Sequence, residues 1–375
     1  MRLGLPGAAV RNVPEEYATI QAAVDASSTG DTVLLSPGTY RGVGNRDIML
    51  HGYDLVIKSS AGPEATILDC ERSGRGFYLD GFETRNTRIE GLTIQNGMAD
   101  MGGAILVGVS SPTIANCRIL NNYGNVGGRL FLSEFSGLVD HCLISGNQSL
   151  NYPGGGILYY FGDAEFTDCV ITNNFAAAGG ACAILGSGSG EPAFRDCTVT
   201  CNRGGDGPGG FYGSHVTLER CIVWGNSSMM GDDEMWVWNA QVRCCDIDST
   251  GVRDAQVNYD ENCVFTDPMF CGTQPCAYPV GDLALHADSP CLAEHSPCGE
   301  LIGALGQVCG GAPPTGACCL PSASCIVMQA QQCGQPDATY LGDGTICEPT
   351  SCQPTAVETT SWGRLKAKYR RGQWR

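Results

Sequence analysis

SPTIANCRILNN at residues 111–122, SGLVDHCLISGN at 136–147, DAEFTDCVITNN at 163–174, EPAFRDCTVTCN at 191–202 and SHVTLERCIVWGN at 214–226 are five versions of one unit. Each sets a cysteine five residues ahead of an asparagine: Cys117 and Asn122, Cys142 and Asn147, Cys169 and Asn174, Cys197 and Asn202, Cys221 and Asn226. The cysteines are 25, 27, 28 and 24 residues apart, a period that marks a solenoid. Leu92 in TRIEGLTIQNG and Cys245 in AQVRCCDIDST carry the register outward on both sides.

Each unit has an apolar residue three before the cysteine (Ile114, Val139, Phe166, Phe194, Leu218) and another two after it (Ile119, Ile144, Ile171, Val199, Val223). Alternation along a strand puts the cysteine and the residue two beyond it on one face, so the gap of three on the other side requires a bend. A second apolar segment follows each asparagine behind a Gly-Gly pair: GGAILVG from Gly102, GGRLFLS from Gly127, GGGILYY from Gly154, GGACAIL from Gly179 and GGFYGS from Gly209. Short β-type segments broken by Gly and Asn, without helical spacing, predict a parallel β-helix. A coil of about 25 residues loses roughly 1 to 2 kcal/mol of backbone entropy per residue, while its inward side chains recover only about 2 kcal/mol each. Only stacking at about 4.8 Å per coil makes the unit stable. The asparagines are expected to lie one above another at a turn, hydrogen-bonded amide to amide and in left-handed geometry.

On these motifs the chain resembles right-handed parallel β-helix proteins of the pectate-lyase-like superfamily, over roughly residues 15 to 260. The GGAI-type strands and Asn turns are also similar to repeats of bacterial surface β-helix proteins. YATIQAAVDASSTGDTVLLSPGTY, from Tyr17, is similar to the segment opening many such folds. Tyr17, Ile20, Ala23 and Val24 have helical spacing and predict a short helix capping the open end of the stack. The fold class expected is all-β: a right-handed parallel β-helix with an N-terminal capping helix and a small disulfide-rich C-terminal module.

The organisation expected is an N-terminal segment with the capping helix at 1–30 and the β-helix at 31–262. A Cys-containing closing segment covering the last coil follows at 263–309, then a linker at 310–316, a six-Cys module at 317–352 and a basic tail at 353–375. Twelve of the 22 cysteines lie in residues 263 to 352, the density of disulfide-stapled chains from an oxidising compartment. A secreted or cell-surface location is therefore expected. MRLGLPGAAVRNVP lacks an apolar signal core, which implies a trimmed signal or a misplaced start, the cytoplasm being the alternative. The tail, with Trp362, Leu365 and Tyr369 amid basic residues, reads as disordered or as a sorting signal.

No apolar run is long enough for a membrane-spanning helix, so a soluble protein, and a monomer, is expected. The formal net charge is −17 and the last 23 residues hold six basic side chains against Glu358, so the body is strongly acidic. That argues against nucleic acid as its partner.

Facing inward, the ladder cysteines read as small hydrophobes and mostly free thiols. The residues just before them, Asn116, His141, Asp168, Asp196 and Arg220, read as an outward ridge. Asp168 and Asp196, flanked by His141 and Arg220, would hold Ca²⁺ or act as an acid/base pair, or simply form a solvated ridge. The resemblance implies acidic ligands and basic catalytic residues on one strand face, yet the Gly-Gly strands offer Ala104, Leu106, Arg129, Phe131, Leu158, Tyr160, Ala181, Ala183 and Phe211, with one charge. The motifs of pectinases are missing, which puts catalysis in doubt and leaves the fold untouched. Phe131 and Tyr160 are candidates to stack on sugar rings, as are Trp236 and Trp238 in GDDEMWVW. Asp232, Asp233 and Glu234 beside them are candidate Ca²⁺ ligands, although no cofactor is required.

Three functions compete. The first is a secreted or surface β-helix for carbohydrate binding, adhesion or display, with a polysaccharide or cell-surface glycan as partner. The second is a polysaccharide lyase or glycoside hydrolase acting on acidic glycans through the Asp168/Asp196/His141 ridge. The third is a rigid structural spacer.

Overall fold

The computed structural model describes residues 8–124, 128–186, 190–229, 231, 233–253, 256–272, 276, 281–309, 315–319, 325–329, 339–343 and 347. A complete coil contributes four short segments, named a to d after the coil of Cys142: a is Leu130–Leu132, b is Leu138–Asp140, c is Leu143–Ser145 and d is Gln148–Ser149. Every segment pairs in parallel with its counterpart one coil away, as the repeat predicts. The c segments form a nine-stranded sheet and the d segments a five-stranded one. The a and b segments merge into one sheet of 17 strands, because in the last two coils they run on without a break as Phe211–Glu219 and Met235–Arg243.

Like stacks on like. The b column reads Ile114, Val139, Phe166, Phe194, Leu218, Val242, and the c column Ile119, Ile144, Ile171, Val199, Val223, Ile247. Both columns are fully buried in one continuous core. Within it the Phe166 and Phe194 rings stack 4.3 Å apart and 4° from coplanar, and Phe211 meets Phe194 edge-on.

The bend demanded by the gap of three sits at the residue before each ladder cysteine. Asn116, His141, Asp168, Asp196 and Arg220 all have φ between 51° and 55°. The cysteines themselves are free and buried. Each thiol donates to the carbonyl two residues earlier, for example Cys142 Sγ to Asp140 O at 3.3 Å and Cys169 Sγ to Thr167 O at 3.2 Å. A thiol is thus small enough for the corner, apolar enough for the core, and still a weak donor to that carbonyl.

At the c-to-d turn the asparagines form the expected ladder. The Asn147 amide nitrogen donates to Asn174 Oδ1 at 2.9 Å, and Asn174 donates to Asn202 Oδ1 at 2.9 Å. The left-handed geometry lies one residue earlier, at Asn96, Asn121, Asn173 and Cys201. The ladder residues are completely buried or nearly so.

The helix Ile20–Asp25, capped by Thr19, buries Ile20, Ala23 and Val24 against the first coil as expected. A strand that the sequence did not reveal, Val10–Val13, precedes it and pairs with Thr32–Leu35. At the other end the closing segment departs from expectation. Tyr259 and Cys263 pack on the end of the core and Val264 bridges Asp246, but the chain then turns back along the outer face of the c sheet. There Leu283, Leu285, Leu292, Ile302 and Leu305 cover Leu143, Val170 and Ile222. That outer column is apolar, so it needs a cover that the last coil alone would not provide. Disulfides Cys201–Cys276 and Cys244–Cys298 tie this strap to the coils, and Cys271–Cys309 joins two parts of the strap itself. In the C-terminal module, Thr315–Cys319, Cys325–Gln329 and Thr339–Asp343 form an antiparallel sheet with a Cys325–Cys347 disulfide. The first of these strands begins inside the expected linker, and the tail lies outside the described residues.

Candidate functional site

With the c sheet strapped over, the outer face of the a segments remains. Alternation sends Ile105, Leu130, Ile157, Cys182, Phe211 and Met235 into the core, and the next residues outward as one column: Leu106, Phe131, Leu158, Ala183, Tyr212, Trp236. Two residues further along, Tyr160, Leu185, Ser214 and Trp238 follow the paired residues Tyr159, Ile184, Gly213 and Val237 and form a second column. At one end Phe131 and Tyr160 meet at 5.7 Å, with Phe161 6.3 Å from Tyr160. At the other end Tyr212 meets Trp236 edge-on at 5.7 Å, and the Arg253 guanidinium lies 4.4 Å from the centre of the Trp236 ring. Trp238 is 66% exposed.

Between the two groups Ala183 is fully buried and Leu185 partly exposed. A depression of 230 Å³ opens there, lined by Leu185, Tyr212, Ser214, Trp236 and Trp238. Tyr160 and Trp238 are three coils apart, about 14 Å at the strand spacing. Three of the four aromatic candidates thus lie with Tyr212 along one strip and the fourth, Phe131, beside Tyr160. Phe211, expected on this face, is a core residue. Its neighbour Tyr212 takes the outward place instead, since the parity of a segment behind Gly-Gly is not fixed by its sequence, and Arg253 was not anticipated.

The ridge at the b-to-c corner divides in two. His141 Nδ1 lies 2.7 Å from Asp140 Oδ1 and its Nε2 lies 3.7 Å from Asp168 Oδ2. Asp140, His141 and Asp168 bring one ligand atom each within 4.8 Å of one another, a set that fits a divalent cation. Asp140 escaped the sequence reading because it stands one residue before the ridge. Asp196 is held apart from this group: Arg220 grips it through Nε at 2.9 Å and reaches Glu219 at 2.5 Å. Asp196 raises the Arg220 pKa further and keeps it charged. The pair continues through Arg195 to Glu219 and Glu165, and from Glu165 to Arg85. The four ridge residues therefore do not converge as one acid/base site, and Asp168 itself is buried.

The acids expected to bind Ca²⁺ beside the tryptophans are also separated. Glu234 is 1% exposed and ends the asparagine ladder, accepting from the Asn226 backbone N–H at 3.1 Å and from its side-chain amide at 2.5 Å. No asparagine follows Asn226 at the ladder position, so a carboxyl from the neighbouring segment supplies the missing acceptor. Burial pushes its pKa up to about 8. Asp233 accepts from the Ser228 N–H at 2.6 Å, and Asp232 lies outside the described residues. Glu234 is therefore lost to any external metal site.

Residues 41–190 match the family model described as the right handed beta helix region. The stacked coils, which continue on both sides of that stretch, form a right-handed parallel β-helix. No curated protein matches it. Among solved structures, the crystal structure of pectate lyase Pel9A is similar with 12% identity and a TM-score of 0.47, covering 81% of this chain and 98% of that one.

Proposed function

We propose that this chain is an extracellular β-helix that binds polysaccharide along the outer face of the a segments. The observation carrying the reading is Trp238, two-thirds exposed, at the edge of a depression whose far side continues in line to Tyr160. A large exposed indole is unfavourable in water, and rigid aromatic faces flanking a shallow dip suit the C–H faces of sugar rings. The strip of about 14 Å would accept a short run of sugar units laid parallel to the solenoid axis, with Arg253 and Ser214 as polar neighbours. The free ladder thiols are sealed in the core, while the surface strap is disulfide-bonded, a distribution that fits an oxidising exterior.

A second reading is supported by one arrangement, Asp140, His141 and Asp168, which would bind Ca²⁺ or move a proton in a lyase or hydrolase. A glycan array run with and without Ca²⁺, paired with an ultraviolet assay for unsaturated product, separates the two. Retention of a glycan without turnover supports binding. Product formation that is abolished by Asp168→Asn replaces it with catalysis, and neither result leaves the spacer.

A further inference from the structure

A second groove lies on the outer face of the d segments, and it does not rest on the aromatic strip. A depression of 410 Å³ adjoins one of 400 Å³, and Arg72, Tyr123 and Gln148 line both. The Arg72 guanidinium lies 4.7 Å from the centre of the Tyr123 ring. Its backbone is fixed, since the Arg72 N–H donates to Asn96 O at 2.7 Å in the next coil. The neighbouring Arg46 and Arg75 are paired with Glu71 and Asp47, whereas Arg72 has no ion pair among the described residues. Asn96, Asn121 and Asn173 add amides along one wall, and Asp100 is the acid at the rim.

The floor hides a second cation. Arg129 is fully buried, and its Nη2 donates to the carbonyls of Gly124 and Gln148, both floor residues. Its Nε and Nη1 have no hydrogen-bond partner among the described residues. A Cβ on Gly124 would collide with Nη1, so the guanidinium sits directly beneath that glycine. In its column Ala104, Gly156, Ala181 and Gly210 are small, and the buried acid, Glu234, lies four coils away and is bonded to Asn226, so no carboxylate in the column pairs with Arg129. A buried guanidinium without a carboxylate is costly, and an anion seated above it offsets that cost.

We propose that this groove is a binding site for an anionic sugar unit, its carboxylate or sulfate held by Arg72 above the buried Arg129 charge and its ring laid against Tyr123. The test is calorimetry on the full chain with an oligo-alginate as the carboxylated probe, a sulfated oligogalactan as the sulfated probe and a cello-oligosaccharide as the neutral one. One or both anionic probes should bind, and the tighter of the two identifies the group. Affinity should fall with added salt, drop on the order of tenfold in Arg72→Ala, and stay unchanged in Arg88→Ala, a surface arginine outside both grooves. Arg72 is exposed, so its removal leaves the fold intact even if Arg129→Met does not. Three results overturn the proposal: no anionic binding, anionic binding indifferent to Arg72→Ala, or a neutral-probe affinity that falls as far as the anionic one in Arg72→Ala. Loss of neutral-glycan binding in Trp238→Ala with no anionic binding would sink this site and leave the aromatic strip standing.

Discussion

Replacing Asn174 by alanine tests the ladder where it is most enclosed. Asn174 Oδ1 accepts from the Asn147 backbone N–H at 3.0 Å and from its amide at 2.9 Å, and Asn174 Nδ2 donates to Ile144 O and Asn202 Oδ1, both at 2.9 Å. The alanine leaves the Asn147 N–H, one Asn147 amide hydrogen and the Ile144 carbonyl short of partners in a water-free turn. At roughly 1 to 3 kcal/mol for each unsatisfied buried group, the loss is roughly 3 to 9 kcal/mol, a large share of the stability of an ordinary domain. The neighbouring Asn173→Gly is the control. Asn173 holds φ at 57° and its amide makes one long bond to Thr172, so glycine should change stability by about 1 kcal/mol or less. Urea unfolding followed by circular dichroism measures both variants. A cost for Asn174→Ala below about 1 kcal/mol, or no larger than that for Asn173→Gly, would refute the ladder as a main source of cohesion.

Three further outcomes follow from the same contacts. The Glu234 carboxyl is raised to about 8, so its contribution is present below its unfolded pKa near 4.5 and is lost as pH rises through about 8. Thermal midpoints should fall across that window in the natural protein and stay flatter in Glu234→Gln, the full shift being worth roughly 4 to 5 kcal/mol. Phe166→Ala removes one of two stacked, fully buried rings and should cost about 3 to 5 kcal/mol in denaturant unfolding, whereas Phe161→Ala, at a partly exposed ring, should cost far less. Burial drives the Cys142, Cys197 and Cys221 thiols well above their usual pKa, so an alkylating reagent should leave them unmodified in the native protein and reach them only after denaturation.

The solenoid was legible because stacking forces like onto like: a cysteine at the corner and an asparagine at the turn recur wherever a coil closes. The gap of three before the cysteine located the bend, and the structure places a left-handed residue at that position in six coils, from Asn116 to Cys244. Inward and outward orientation was harder to read, since parity restarts at each bend and after each Gly-Gly pair. Phe211, expected outward, lies in the core for that reason. Arg129 and Glu234 had a signal that went unused: both interrupt a column otherwise made of Ala104, Gly156, Ala181 and Gly210, and a large charged residue among small ones is either buried at a cost or committed to a partner. The back-folded strap was hidden because its irregular segment has no period, and only the apolar outer column of Leu143, Val170 and Ile222 hinted that something must cover it. The Asp140, His141 and Asp168 grouping depends on side-chain directions at a corner, which residue spacing alone does not supply.

The most direct measurement is the affinity of the double variant Trp238→Ala, Tyr160→Ala for the glycan that the natural chain retains on the array, with circular dichroism confirming an intact stack. Binding along the aromatic strip predicts a loss on the order of a hundredfold or more, since two anchoring rings are removed. Undiminished affinity in the folded double variant would contradict it.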